Sequence, residues 1–247
     1  MSVLLINADD AGLHPCIDKG ISICIDAGVV NSVSVITNSP QVDFGLIRDW
    51  HLKGIRIGVH LAFIGVPWIS KPYFFKDWKT FLFAYTTRGK EFWKETEQEA
   101  RLQIQRLVEN RISIAHLDSH QHVHHFPGLW QSAEQLTREF NIPRIRCARA
   151  INFAHIRMNA AGMVLQTLSQ QRFGTQSLYC GGLKHSGRYT TRLLQAELDA
   201  YSTFNSEIIV HPGVNNAELN KQFISWNFDW EQETKAVMSL VKTNLLS

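Results

Sequence analysis

The sequence predicts an α/β fold, a closed or nearly closed (β/α) barrel of about seven mostly parallel strands in a single domain. Two observations carry that expectation. Short apolar runs of the kind that form strands buried on both faces alternate with helical segments along most of the chain, and no glycine-rich phosphate fingerprint follows the first strand. Alternation of this kind implies right-handed βαβ crossovers and a mostly parallel sheet, and the missing fingerprint argues against an open dinucleotide-binding sheet.

The elements follow in order. Val3-Leu4-Leu5-Ile6 is a buried strand, and a helix from about Cys16 to Ala27 follows, with Ile17, Ile21, Cys24 and Ile25 at helical spacing and Gly28 placed to stop it. Val33 to Ile36 and Ile55 to Leu61 give the second and third strands. Glu91 to Glu109 reads as a long charged helix, Ile114 to Leu117 as the fourth strand, and Trp130 to Phe140 as a helix. Arg144 to Ala148 is expected as a fifth strand after Pro143, followed by a helix near Ala154 to Gln171 and a strand near Leu178. A helix near Thr191 to Tyr201, a strand at Glu207 to Val210 and a closing helix from Asp229 to Leu246 complete the run. One segment breaks the pattern. Residues 65–89 form a long aromatic-rich insertion holding Trp68, Tyr73, Phe74, Phe75, Trp78, Phe81, Phe83 and Tyr85, either a cap or dimer interface or a substrate lid.

Composition narrows the function classes. Residues 1–247 are 45% hydrophobic and 19% charged, the profile of an ordinary globular protein, and a net charge of +3 without a Lys/Arg-rich run argues against nucleic acid as a partner. Cys16, Cys24, Cys147 and Cys180 are scattered without a C-x-x-C pair, as expected of reduced thiols. The opening MSVLLINADD has no basic region and reads as a strand rather than a signal peptide, and no apolar run is long enough for a membrane span, so a cytoplasmic location is expected.

The polar residues at strand ends carry the chemistry. Asn7, Asp9 and Asp10 follow the first strand, His60 closes the third, Asp118 and His120 follow the fourth, Arg146 lies on the fifth and His211 ends the last. In a parallel barrel all of these ends open on one face, so residues far apart in sequence are expected to converge there. Five of the eleven histidines, His116, His120, His122, His124 and His125, fall within ten positions. In the run from His116 to His124, alternate positions are His, Asp, His, His, His; on an extended backbone they would share one face as a ribbon of metal-capable groups. The pair Asp9-Asp10 offers one carboxylate to ligate a cation and one to take a proton, or a helix cap. In Val210-His211-Pro212-Gly213 the turn holds an imidazole suited to giving a proton to a leaving amine. A phosphate-handling alternative finds no cationic cluster beyond Arg146 and Arg149.

The stretches Asn7-Ala8-Asp9-Asp10-Ala11-Gly12-Leu13, Gly58-Val59-His60-Leu61, His116 to His124 and His211-Pro212-Gly213 resemble, in order across nearly the whole chain, the YdjC/ChbG-type carbohydrate deacetylases. The resemblance implies a distorted TIM-like (β/α) barrel and removal of acetyl groups from N-acetylglucosamine units, as in diacetylchitobiose. It also implies Asp10, His60 and His120 as ligands of one divalent cation, Asp9 as base and His211 as acid. Asn7, Asp118, His122, His124 and Arg146 are left to orient ligands or meet substrate. The family favours magnesium; the two imidazoles suit zinc as the alternative. The expected partner is a small acetylated saccharide, with homodimerisation open. A lipid-linked, hopanoid-type acetylated sugar and a noncatalytic sugar- or metal-binding role are the alternatives. Ala11 stands where the family usually has phenylalanine and His14 where serine is common.

Overall fold

The computed structural model describes residues 3–71, 75–156, 159–174 and 177–243. The chain divides into two compact units, one of Met1–Val33 with Cys147–Ser247 and one of Ser34–Arg146. The strands are β1 (Leu4–Ala11), β2 (Ser32–Val35), β3 (Arg56–Leu61), β4 (Ile114–Ser119), β5 (Tyr179–Gly181) and β6 (Ser206–Val210), in the hydrogen-bonded order β4-β3-β2-β1-β6-β5. Among the described residues no helix is long and apolar enough to cross a membrane.

In the first unit β6 lies between β1 and β5 and is parallel to both, in a register that sets Ile6 beside Ile208, Asn7 beside Ile209 and Ala8 beside Val210. Asn7, Asp9 and Asp10, expected after the first strand, lie within β1, which runs on to Ala11, and Asp9 and Asp10 sit near its end at the level where His211 follows β6. The helix α1 (Pro15–Asp26) starts with proline in its first turn, and the His14 ring nitrogen Nδ1 accepts the Cys16 amide at 3.1 Å. That cap is the work serine would do at this position, so the departure at His14 is absorbed by local structure. α1 buries Ile17, Ile21, Cys24 and Ile25, and Gly20 meets the backbone of Gly213 so closely that an added Cβ would sit 2.3 Å from its Cα. After α4 (Leu129–Glu139) of the second unit, the helices α5 (Ala160–Arg172), α6 (Thr191–Tyr201) and α8 (Trp230–Met238) belong to the first, α6 with the boundaries expected from its pattern. The short α7 (Ala217–Gln222), capped by Asn216, was not expected. The expected closing helix ends early, giving way to a 3-10 turn over Ser239–Thr243, and its last residues lie outside the described ones.

In the second unit β3 and β4 pair in parallel, with Gly58 beside His116, His60 beside Asp118 and Leu61 beside Ser119. A helix absent from the expectation, α2 (Phe44–Leu52), is capped by Asp43, whose carboxylate accepts the amides of Gly45 and Leu46. The insertion is largely ordered. α3 (Trp78–Glu109) begins inside it behind an Asp77–Thr80 capping box and kinks at Gly89, where φ is 52°. Phe63, Trp68, Phe75, Phe81 and Phe92 pack together, with Phe81 and Phe92 centroids 5.3 Å apart. Phe63, Trp68, Phe81 and Phe92 are core for the unit and Phe75 is half-buried beside them; Trp78 and Phe83 are exposed, and Tyr73 and Phe74 lie outside the described residues.

Among the described residues there are six strands rather than about seven. The segment expected as the fifth makes a single bridge, Leu117 to Ile145, and goes no further. The Arg146 carbonyl is taken by the ring of His124 at 2.9 Å instead of a ladder amide, and the chain leaves the sheet.

The Gly20–Gly213 approach yields a test. Gly20→Ala should lower stability by about 1–3 kcal/mol, the usual cost of overpacking, read as a shift in denaturant midpoint with unchanged slope. An unshifted midpoint would show that α1 is not seated on this contact.

Candidate active site and metal-ligand cluster

In the second unit the site is built around one carboxylate. Asp118, at the end of β4, is fully buried, as is Arg146, whose guanidinium pairs with it. Its Oδ1 lies 2.8 Å from His60 Nδ1, and its Oδ2 accepts the Ser34 hydroxyl at 2.8 Å. With its proton given to Asp118, the Ser34 oxygen accepts from His116 Nε2 at 2.9 Å and from Arg146 at 3.3 Å. Burial alone would raise the Asp118 carboxyl, but Arg146 and then His60 hold it well below the usual carboxylate range. Gly58 is required here: a Cβ would lie 2.2 Å from His116 Nε2.

His60 has the geometry of a metal-ligating imidazole held in place through its other ring nitrogen. Its Nδ1–H donates to a buried carboxylate, which fixes the tautomer that offers Nε2 to a cation. The His120 ring sits edge-on to it, centroids 5.8 Å apart. His60 and His120 are buried imidazoles of this unit that belong to candidate metal-ligand groups of buried His and Asp side chains. This donor set of imidazole and carboxylate fits a divalent cation.

The expected ribbon of alternating side chains ends at Ser119. His120 to His125 form a 3-10 turn, with Gln121 at φ 60° and His122 at φ 58°, both left-handed. His124 is locked: its Nε2–H donates to the Arg146 carbonyl, its Nδ1 lies 2.6 Å from the Ser119 hydroxyl, and its amide donates to the same oxygen at 3.0 Å. Burial pushes it down to about 4, so it is neutral at neutral pH. Burial also holds His122 well below its ordinary value, and its Nδ1 has no hydrogen-bond partner.

In the first unit Asn7 donates from Nδ2 to Asp9 Oδ1 at 2.6 Å, and Asp9 and Asp10 are both buried. Asp10 has φ 68°, and its carbonyl accepts the Leu13 amide, so the chain turns sharply before α1. His211 Nε2 stands 4.0 Å from Asp10 Oδ2, and its Nδ1 3.6 Å from Glu233 Oε1. Glu233 is fully buried and also accepts the backbone amides of His211 at 2.6 Å and Tyr189 at 3.2 Å. Burial would lower His211, but Glu233 and the aspartates outweigh it and hold the ring above its ordinary value.

Of the six non-glycine residues with positive φ among those described, Arg111, Asn141 and Asn227 follow helical ends, while Asp10, Gln121 and His122 are candidate site residues or their neighbours. Such backbone costs on the order of 1–3 kcal/mol per residue and persists where the surroundings enforce it. Sequence reasoning missed Glu233, Ser34 and Ser186, whose hydroxyl lies 3.4 Å from His211 Nδ1. Each is a single polar residue without a spacing signal, and a pattern search does not find such residues.

The buried ion pair can be tested by stability. Asp118→Ala should cost about 3–5 kcal/mol because it strips a buried guanidinium of this partner. Replacing Arg146 by Met in the same background should recover part of the loss. A single variant as stable as the parent would refute the pairing account.

Comparison with known proteins places the chain. Residues 3–246 match the profile of the YdjC-like protein family. A carbohydrate deacetylase of Vibrio parahaemolyticus is 24% identical over 225 residues, covering 87% of this chain and 80% of that protein. A carbohydrate deacetylase of Oceanobacillus iheyensis is 28% identical over 142 residues, covering 56% of this chain and 62% of that protein, so the match spans less than two thirds of that relative's length. A crystal structure from Enterococcus faecalis, whose description proposes cellobiose-phosphate cleavage, superposes with a TM-score of 0.69 at 20% identity, covering 99% of this chain and 94% of that one. That likeness shows a shared fold. With its motif residues at the ends of β1, β3, β4 and β6, the chain belongs to the YdjC-like protein family.

Proposed function

We propose that the protein is a metal-dependent carbohydrate N-deacetylase, acting on an N-acetylglucosamine-containing oligosaccharide such as diacetylchitobiose. The observation that carries this reading is the His60–Asp118 pair, an imidazole whose second nitrogen is held by a buried carboxylate in the manner of metal-ligating histidines. Asp10, His60 and His120 are the proposed ligands. All three are buried, and together they would offer one carboxylate oxygen and two imidazole nitrogens. The family resemblance favours magnesium, and the donor set suits zinc as well. When bound, the cation would polarise the acetamide carbonyl and acidify the attacking water.

The chain's own residues supply the proton transfers. Asp9, steadied by Asn7, takes a proton from the water that attacks the acetyl carbon. His211, held between Glu233 and Asp10, gives a proton to the sugar nitrogen as the C–N bond breaks, so that acetate and a free amine leave. A phosphate-directed reading has less support. Arg146 is buried on Asp118, and the Arg149 guanidinium lies over the rings of Phe173 and Tyr179 at 4.5 and 5.4 Å.

Acetate release from diacetylchitobiose by metal-reloaded protein is the direct test. Asp9→Asn and His211→Ala should each lower kcat by roughly 10²–10⁴-fold, with the cation retained. Undiminished turnover in Asp9→Asn would remove the base assignment, and a parent that binds the sugar without hydrolysing it would point to the noncatalytic role. Chelation should abolish turnover, and readdition of one ion type should restore it.

A further inference from the structure

The net charge of +3 conceals an uneven distribution. From Cys147 to Ala196 the first unit carries Arg149, Arg157, Arg172, Lys184, Arg188 and Arg192, and no aspartate or glutamate at all. Charge asymmetry of this kind points to an anionic partner. Several of the cations gather around one helix. Arg149 lies over the ring of Phe173, one residue past the end of α5, at 4.5 Å, and Arg172 stands in the last turn of α5. Lys184 donates from Nζ to the carbonyl of Ala154 at 2.9 Å, and Arg192 is exposed in the first turn of α6. Arg157 lies outside the described residues.

The same region exposes apolar side chains. Of the residues of α5 only Ser169 is buried, and the helix holds no charge before Arg172. Ala160, Met163, Val164 and Thr167 share one exposed face of it. Val164 is 50% exposed, and Phe153, in the 3-10 turn Phe153–His155, is 58% exposed. That turn is tied to α6 by His155, whose Nδ1 lies 2.9 Å from Glu197 Oε2, and the exposed Leu193 stands one turn before Glu197 on the same face. A short helix draws most of its stability from packing an apolar face, and α5 has little such packing within the chain.

The chemistry of the surface selects its occupant. A second copy of this chain would set like charges against each other across a two-fold axis. Nucleic acid would satisfy the cations and leave the exposed Phe153, Met163 and Val164 without a partner. An anionic lipid surface uses both: its headgroups attract the cations, and the boundary with the acyl chains takes up the apolar side chains. We propose that α5, the turn Phe153–His155 and the start of α6 form a face that docks on an anionic bilayer surface without crossing it. The loop after β5 that supplies Lys184 also holds Ser186, 3.4 Å from His211 Nδ1, so docking keeps that strand end close to the lipid. Vesicle binding is read without turnover and is independent of the deacetylase reading.

The test is flotation of the full chain with vesicles of phosphatidylcholine alone or with added phosphatidylglycerol. The parent should float only with the anionic vesicles and be released by high salt. Lys184→Gln combined with Arg192→Gln should lower the partition coefficient about tenfold or more, and Phe153→Ser combined with Val164→Ser about tenfold, with melting temperatures close to that of the parent. Lys53→Gln combined with Arg111→Gln, the same loss of charge from the second unit, should leave binding nearly unchanged. A parent that ignores anionic vesicles would overturn the proposal. So would equal losses in the two charge pairs, which would reduce the effect to net charge, or parental binding by the Phe153/Val164 pair. Tighter binding to a duplex oligonucleotide than to the anionic vesicles would assign the face to nucleic acid instead. A dimer in sedimentation that the Phe153/Val164 pair dissociates would assign it to a second copy.

Discussion

The second unit is organised around a charge that water cannot reach. A carboxylate as deeply buried as Asp118 is tolerable only if its charge is matched and its lone pairs are used, and Arg146, His60 and Ser34 do both. Much follows from that requirement. Gly58 must lack a side chain so that His116 can reach Ser34, and Arg146 must leave the sheet early to bring its guanidinium inward. Its carbonyl then fixes His124, and His124 in turn fixes the turn that carries His120. A structural ion pair thereby sets the orientation of the groups expected to do chemistry.

The first unit solves a parallel problem with another buried acid. Glu233 ties the backbone of His211 and of Tyr189 to α8 while facing the imidazole. Close packing of Gly20 on Gly213 seats the turn after His211 against α1. In each unit a candidate site imidazole, His60 or His211, sits at a strand end and a fully buried carboxylate stands behind it. Strained backbone at Asp10, Gln121 and His122 sits where packing is firm enough to maintain it.

The parts of this arrangement legible in sequence were those with periodic or positional signatures. α6 and β6 followed from apolar spacing, and the residues at the ends of β1, β3, β4 and β6 followed from their place after apolar runs. The first half of α3 was hidden because its aromatics read as an irregular loop, although the Asp77–Thr80 box marked its start. α2 was likewise signalled only by its Asp43 cap. The histidine ribbon failed for a different reason. Alternation presumes an extended chain, and two left-handed residues after Ser119 convert it into a turn. Glu233 and Ser34 acquire meaning only from neighbours distant in sequence, which no local pattern encodes.

Asp10, His60 and His120 are proposed to hold a single divalent cation. Elemental analysis of protein loaded with magnesium or zinc and then dialysed tests it most directly. About one ion per chain is expected in the parent, with its loss in Asp10→Ala, His60→Ala and His120→Ala, each still folded. A parent that retains no ion under any loading, or variants that retain as much as the parent, would contradict it.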